Sequence, residues 1–218
     1  MWQKLYGEVG ALGLLPITVA FDVRGAEVAR PYIEAAKATY PCLIDRTHRV
    51  AELYNMVNVP QAVWIDEEGR IVRPTETAGT GDAFRSMDRT TGAMDPEQRE
   101  DLAAKRASYL DALRDWAANG AQSRFVLSGD AAVERVKGPT AEHAQASAWF
   151  RLGEHLHEQG HEAAAQRAFD EAKRLRPESW AFRRQAWNLE HELKSGGPEF
   201  WAAVEALGDE HYYEPFKL

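Results

Sequence analysis

Apolar residues return at Trp2, Leu5, Tyr6 and Val9, the three-and-four spacing of a helix face, before Gly10 and Gly13 interrupt the pattern. Pro16-Ile17-Thr18-Val19-Ala20-Phe21 then reads as a short buried strand ended by Asp22. Glu27 to Tyr40 carries a second helix pattern, closed by Pro41, and Cys42-Leu43-Ile44 is a short apolar run ending at Asp45. Thr47 to Val57 predicts a third helix with Val50, Leu53, Tyr54 and Val57 on one side. Ala62 to Asp66 and Ile71 to Arg73, joined through Glu67-Glu68-Gly69-Arg70, predict a β-hairpin. Helix, strand, helix, strand, helix and hairpin in that order predict an α/β layered domain.

The rhythm breaks after Arg73. Pro74, Thr75, Thr77, Gly79, Thr80, Gly81, Thr90, Thr91 and Gly92 read as a linker or long loop. Asp95-Pro96-Glu97 has the form of a helix cap with proline in the first turn. Everything beyond it is helical in pattern: 97–118, 129–136, 140–159, 162–175 and 178–194, separated by glycine or proline. The expected organisation is an α/β domain over 1–75, a linker over 76–94 and an all-α domain over 95–218.

Charge and composition narrow the chemistry. The net charge of −8 divides into −2 over residues 1–80 and −6 over the remainder, so no net attraction draws the chain to nucleic-acid phosphates or anionic lipid. Neither nucleic acid nor membrane is expected as a partner. No apolar run approaches the roughly 20 residues of a membrane helix, and MWQKLYGEVG does not read as a signal peptide. A cytoplasmic protein is expected. Cys42 is the single cysteine, so an internal disulfide, a CxxC pair and a cysteine-built zinc site are all excluded. It is read as a small packing residue.

The blocks Leu15–Asp22, Tyr40–Asp45, Val57–Asp66 and Gly69–Val72 resemble the ResA/TlpA-type (AhpC/TSA-related) branch of the thioredoxin-like redoxins. The match covers about residues 1–75. In that family the proline corresponding to Pro60 is cis and faces the redox cysteines, and the backbone beside it pairs with an extended substrate peptide. The resemblance therefore implies a peptide-binding wall at Val59, Pro60 and Gln61. The departure is large: the family's first strand and its CxxC do not occur here. That strand would lie between those formed by Ile17–Phe21 and Ala62–Asp66. The expected outcomes are direct pairing of these two strands, a gap filled by a second copy in a homodimer, or a native chain that extends upstream of Met1.

In the helical half, Trp149-x-x-Leu152-Gly153-x-x-Leu156, Ala165-x-x-x-Phe169 and Pro177 resemble one tetratricopeptide (TPR) repeat over about 146–179. Gly153 and Ala165 would let two helices approach, with Trp149, Leu152, Leu156 and Phe169 filling the space between them. His157-Glu158-Gln159-Gly160-His161 spells a zinc-protease string, but Gly160 falls at the predicted turn, so no metal site is expected. Gly79-Thr80-Gly81-Asp82-Ala83-Phe84 has Phe where a dinucleotide fingerprint needs its third Gly, and it reads as loop. The tryptophans at 149, 180, 187 and 201 and the tail His211–Phe216 are read as packing residues, with a tail lying in a TPR-like groove as the functional alternative. His143 and His191 are read as solvated.

Two functions stand as expectations. The first is a redox-inactive protein or peptide-binding module acting through TPR-like helices, with no cofactor and no catalytic residue. The second is a thiol-disulfide or peroxidase-type redoxin whose cysteine pair lies upstream of Met1.

Overall fold

The computed structural model describes residues 1–136, 138–190 and 196–218. Helix α1 spans Trp2–Val9 and buries Leu5 and Val9, two members of its predicted apolar face. Strand β1, Thr18–Phe21, pairs in parallel with β2, Cys42–Asp45, with Thr18 opposite Cys42 and Phe21 opposite Asp45. Between them α2, Ala26–Ala36, ends at Lys37 in the left-handed region (φ 51°), short of Tyr40. Helix α3 is five residues long, Arg49–Leu53, rather than the eleven expected. His48 (φ 53°) and Asn55 (φ 53°) break helical geometry on either side of it, and Leu53 is exposed. Asp45 starts this helix from outside: its carboxylate accepts the N–H of Arg49 (2.9 Å) and of Val50 (2.7 Å).

Strand β3, Gln61–Ile65, pairs antiparallel with β4, Ile71–Thr77. β4 runs four residues past the expected end at Arg73. Ala62 faces Glu76 while Trp64 faces Arg73, so β4 holds one more residue than β3 between those pairs. The extra residue is accommodated at Pro74-Thr75, and a bulge is a place where a strand tolerates proline. β1 and β3 do not pair with each other; each belongs to its own two-stranded sheet. Direct pairing of the two is thereby overturned.

Beyond Thr77 the backbone is not a free linker. Residues 77–79 and Gly81 are buried. A Cβ on Gly79 (φ +65°) would meet the Tyr109 Cβ at 3.1 Å, so glycine there permits close approach to α4, Pro96–Asn119. A 3-10 turn follows over Asp82–Ser86. Helix α4 begins as the sequence predicts, with Asp95 accepting the Glu97 N–H at 2.9 Å and Pro96 in the first turn. Helices α5 (Gly129–Arg135), α6 (Ala141–Glu158) and α7 (Glu162–Leu175) are likewise close to expectation. α8 covers Trp180–Glu190, and the rest of the helix expected to 194, with His191, lies outside the described residues. A ninth helix, α9 (Pro198–Glu205), has no counterpart among the predicted elements.

The chain divides into two compact units that interleave along the sequence. One takes residues 1–8, 15–59 and the described part of 137–194. The other takes 9–14, 60–136 and the described part of 195–218. This division differs from breaks at 75 and 95, because α6–α8 share a unit with β1, β2 and α3. In the first unit, Phe150 of α6 stacks on Phe182 of α8 (centroids 4.3 Å), and His48 lies edge-on to Phe150 (4.9 Å). The Ala181 N–H donates to the Val57 carbonyl (2.9 Å), and Arg151 reaches Glu52 (2.7 Å). In the second unit, the Trp64 Nε1–H donates to Tyr109 Oη (2.9 Å), and Trp64 stacks on Trp116 (5.0 Å).

Candidate functional site

Helices α6 and α7 form an antiparallel hairpin whose inner seam is Ala146, Phe150, Ala165, Phe169 and Ala172. Gly153 faces Phe169 so closely that a Cβ there would sit 2.5 Å from the ring. This is the close approach expected of Gly153, but the neighbouring assignments shift. Trp149 (40% exposed) and Leu152 (42%) do not fill the space between the helices. The seam uses 146, 150 and 153, so Trp149 and Leu152 fall one position off it, on an outward face. An indole and an isobutyl group one helical turn apart therefore form an apolar ridge on the surface.

Val59 and Pro60 are exposed and Gln61 is half-buried. The Val59 N–H donates to the Asn58 side chain (2.8 Å), and the Pro60 carbonyl accepts the Ala78 N–H (3.0 Å). Gln61 pairs with Thr77 in the hairpin register. Two of the backbone groups that flank this segment are thus already engaged within the chain.

Cys42 is half-buried on β2, less enclosed than a core residue, and its Sγ accepts the Thr18 hydroxyl at 3.2 Å. The zinc-protease string is interrupted: α6 ends at Glu158, Gly160 turns with φ +75°, and α7 starts at Glu162. His157 Nδ1 lies 2.9 Å from Glu162 rather than one turn below His161 on a shared helix. Among the described residues no three His, Cys, Asp or Glu side chains group to hold a metal ion. The segment 79–84 is a loop leading into a 3-10 turn, as read from its sequence.

The aromatic tail belongs to the second unit. Asp82 accepts the N–H groups of Tyr212 (3.0 Å) and Tyr213 (2.7 Å), and Phe84 meets both rings (4.9 and 5.7 Å). Buried Arg73 binds Glu76 (2.8 and 2.9 Å), the Phe125 carbonyl (2.8 Å) and the Lys217 carbonyl (2.5 Å). Burial raises the Tyr109 hydroxyl far above the usual tyrosine range, keeping it a neutral partner for Trp64.

One titratable pair has no local signature in the sequence. His48 (3% exposed) and Glu154 (9%) bring Nδ1 and Oε1 to 3.6 Å inside a shell of Phe21, Phe150 and Phe182. That separation is within ionic reach but too long for a hydrogen bond, and both imidazole nitrogens lack a hydrogen-bond partner among the described residues. Burial pushes the Glu154 carboxyl above the ordinary glutamate range, with His48 opposing. His48 also holds a left-handed backbone, uncommon for a bulky residue. An imidazole beside a carboxylate is the base-and-orienter half of a nucleophilic triad. Both groups are enclosed by aromatic rings. Separation by 106 positions hides such a pair from any local motif.

No helix among the described residues is long and apolar enough to cross a membrane. Comparison with protein-family models, with curated proteins and with solved structures returns no match.

Proposed function

We propose that this protein is a protein- or peptide-binding module whose contact surface is the outer face of the α6–α7 hairpin, and that residues 1–218 by themselves carry out no dithiol exchange. The observation that supports this reading is the ridge of Trp149 and Leu152, standing on a hairpin whose core is complete without them. Large apolar side chains cost less in the core than at the surface, and tryptophan is over-represented among residues that dominate binding energy. The test places a photo-crosslinking amino acid at position 149 and, as a control, at exposed Glu142. Discrete adducts at 149 that Leu152→Asp abolishes are expected. Adducts of the same pattern from both positions would overturn the reading.

A thiol-disulfide or peroxidase-type redoxin is the second reading. In its favour, β1 and β3 each have one strand neighbour among the described residues, as a redoxin sheet lacking one central strand would leave them. Residues 1–218 hold one thiol and dithiol exchange needs two, so this reading places the cysteine pair upstream of Met1. Insulin reduction at background rate, unchanged by Cys42→Ser, is the expected result. Turnover lost in that variant would restore the thiol to a working role.

A further inference from the structure

Residues 99, 102, 103 and 106 lie at i, i+3, i+4 and i+7, one face of α4. Beside that face the loop through Gly92 and Met94 encloses an open cleft of about 430 Å³. Arg99, Leu102, Ala103 and Arg106 line it from the helix side, and the positions of the two arginines are roughly 10 Å apart along the helix axis at 1.5 Å per residue, with Leu102 and Ala103 between them.

The facing wall is built rather than incidental. Asp88 Oδ1 accepts the N–H of Thr90 (2.9 Å), the N–H of Thr91 (2.7 Å) and the Thr91 hydroxyl (2.8 Å). The Asp88 N–H donates to the Ala93 carbonyl and the Gly92 N–H to the Asp88 carbonyl, both at 2.8 Å. Gly92 closes the loop at φ +70°, a conformation glycine adopts without strain. These bonds hold the Asp88 carboxyl below its ordinary range, so the wall is intact at neutral pH.

The two arginines are unspent. Arg99 Nε donates to the Met94 carbonyl (3.1 Å), which fixes the side chain against the wall and leaves its terminal nitrogens without a partner among the described residues. Arg106 has no acceptor among the described residues. The nearby carboxylate of Asp101 is already held by Lys105 (2.5 Å). In a chain of net charge −8, the residues that line this cleft include two guanidiniums and no carboxylate.

We infer that this cleft binds an α,ω-dicarboxylate of medium length. One carboxylate pairs with each guanidinium, the bidentate geometry for which arginine is suited, and the methylene chain crosses Leu102 and Ala103. A monoanion would leave one arginine unmatched, and a compact anion would leave Leu102 and Ala103 uncovered. The site is independent of the hairpin ridge, which lies on other elements.

Titration calorimetry of the full chain with azelate, nonanoate and inorganic phosphate tests this. Azelate is expected to bind with one-to-one stoichiometry, at least tenfold more tightly than nonanoate or phosphate. Arg106→Gln, which removes no intramolecular bond, should weaken azelate about tenfold or more toward the nonanoate level, with an unchanged melting temperature. Leu102→Asn should weaken azelate and leave phosphate unaffected. Phosphate binding as tight as azelate, azelate binding unmoved by Arg106→Gln, or no heat from azelate at millimolar concentration would each overturn the assignment.

Discussion

Glu154 is a carboxylate in an environment that its type does not prefer. Burial holds its carboxyl above the ordinary glutamate range, so the native state binds a proton more readily than the unfolded chain does. The resulting stability is present below the ordinary glutamate value and is lost as pH rises through the raised native value. Glu154→Gln keeps the shape and removes the charge, so melting temperature measured across that window should decline in the parent and stay level in the variant. A parallel decline in both would assign the pH dependence elsewhere. Arg73 presents the opposite case, a buried charge fully paired. Arg73→Met strands Glu76 and should cost about 3–5 kcal/mol in urea denaturation, while adding Glu76→Gln should recover part of the loss. Neither environment is written in the local sequence. A histidine at 48 and a glutamate at 154 each look solvated until the chain brings them together.

For single elements the sequence is far more informative. The cap at Asp95 sits where the sequence predicts it, and Ser128 and Thr140 cap α5 and α6 in the same way, each accepting a backbone N–H of the first helical turn. The α6–α7 hairpin follows from its small residues and its Gly160 turn, and it supports two predictions about packing. Gly153→Ala drives a methyl group into the Phe169 ring and should destabilise by about 1–3 kcal/mol. Phe169→Ala should cost about 3–5 kcal/mol, whereas Trp149→Ala, on the exposed ridge, should stay within about 1 kcal/mol. Chemical denaturation of the three variants orders them, and a Trp149→Ala cost equal to that of Phe169→Ala would put the indole back in the core. The misplacement of Trp149 and Leu152 has a simple source. Apolar spacing gives the period of a helix, but a one-residue error in phase turns the face by about 100° at 3.6 residues per turn. α3 failed for another reason: its apolar spacing persists through residues whose backbone, at His48 and Asn55, leaves the helical region.

At the scale of the whole molecule, two two-stranded sheets leave β1 and β3 with one strand neighbour each among the described residues. The homodimer expected from sequence would use such an edge, because unpaired backbone groups accept a further strand. Light scattering on the purified chain decides this, and a monomer removes the dimer. The sequence by itself determined the locations of most helices and strands, though not of α9 or the ends of α3 and β4, together with the hairpin turn at Gly69, the single thiol and the interrupted zinc string. Those are properties of nearest neighbours, of backbone preferences and periods within a few turns. Only the tertiary structure decided that α6–α8 share a unit with β1 and β2 rather than with α4. It also turned the Gly79 loop into a spacer against Tyr109, tied the aromatic tail to Asp82, and set two unspent arginines beside a preformed wall. All but the last join groups far apart in the chain, where packing and hydrogen-bond geometry choose partners that no local pattern specifies.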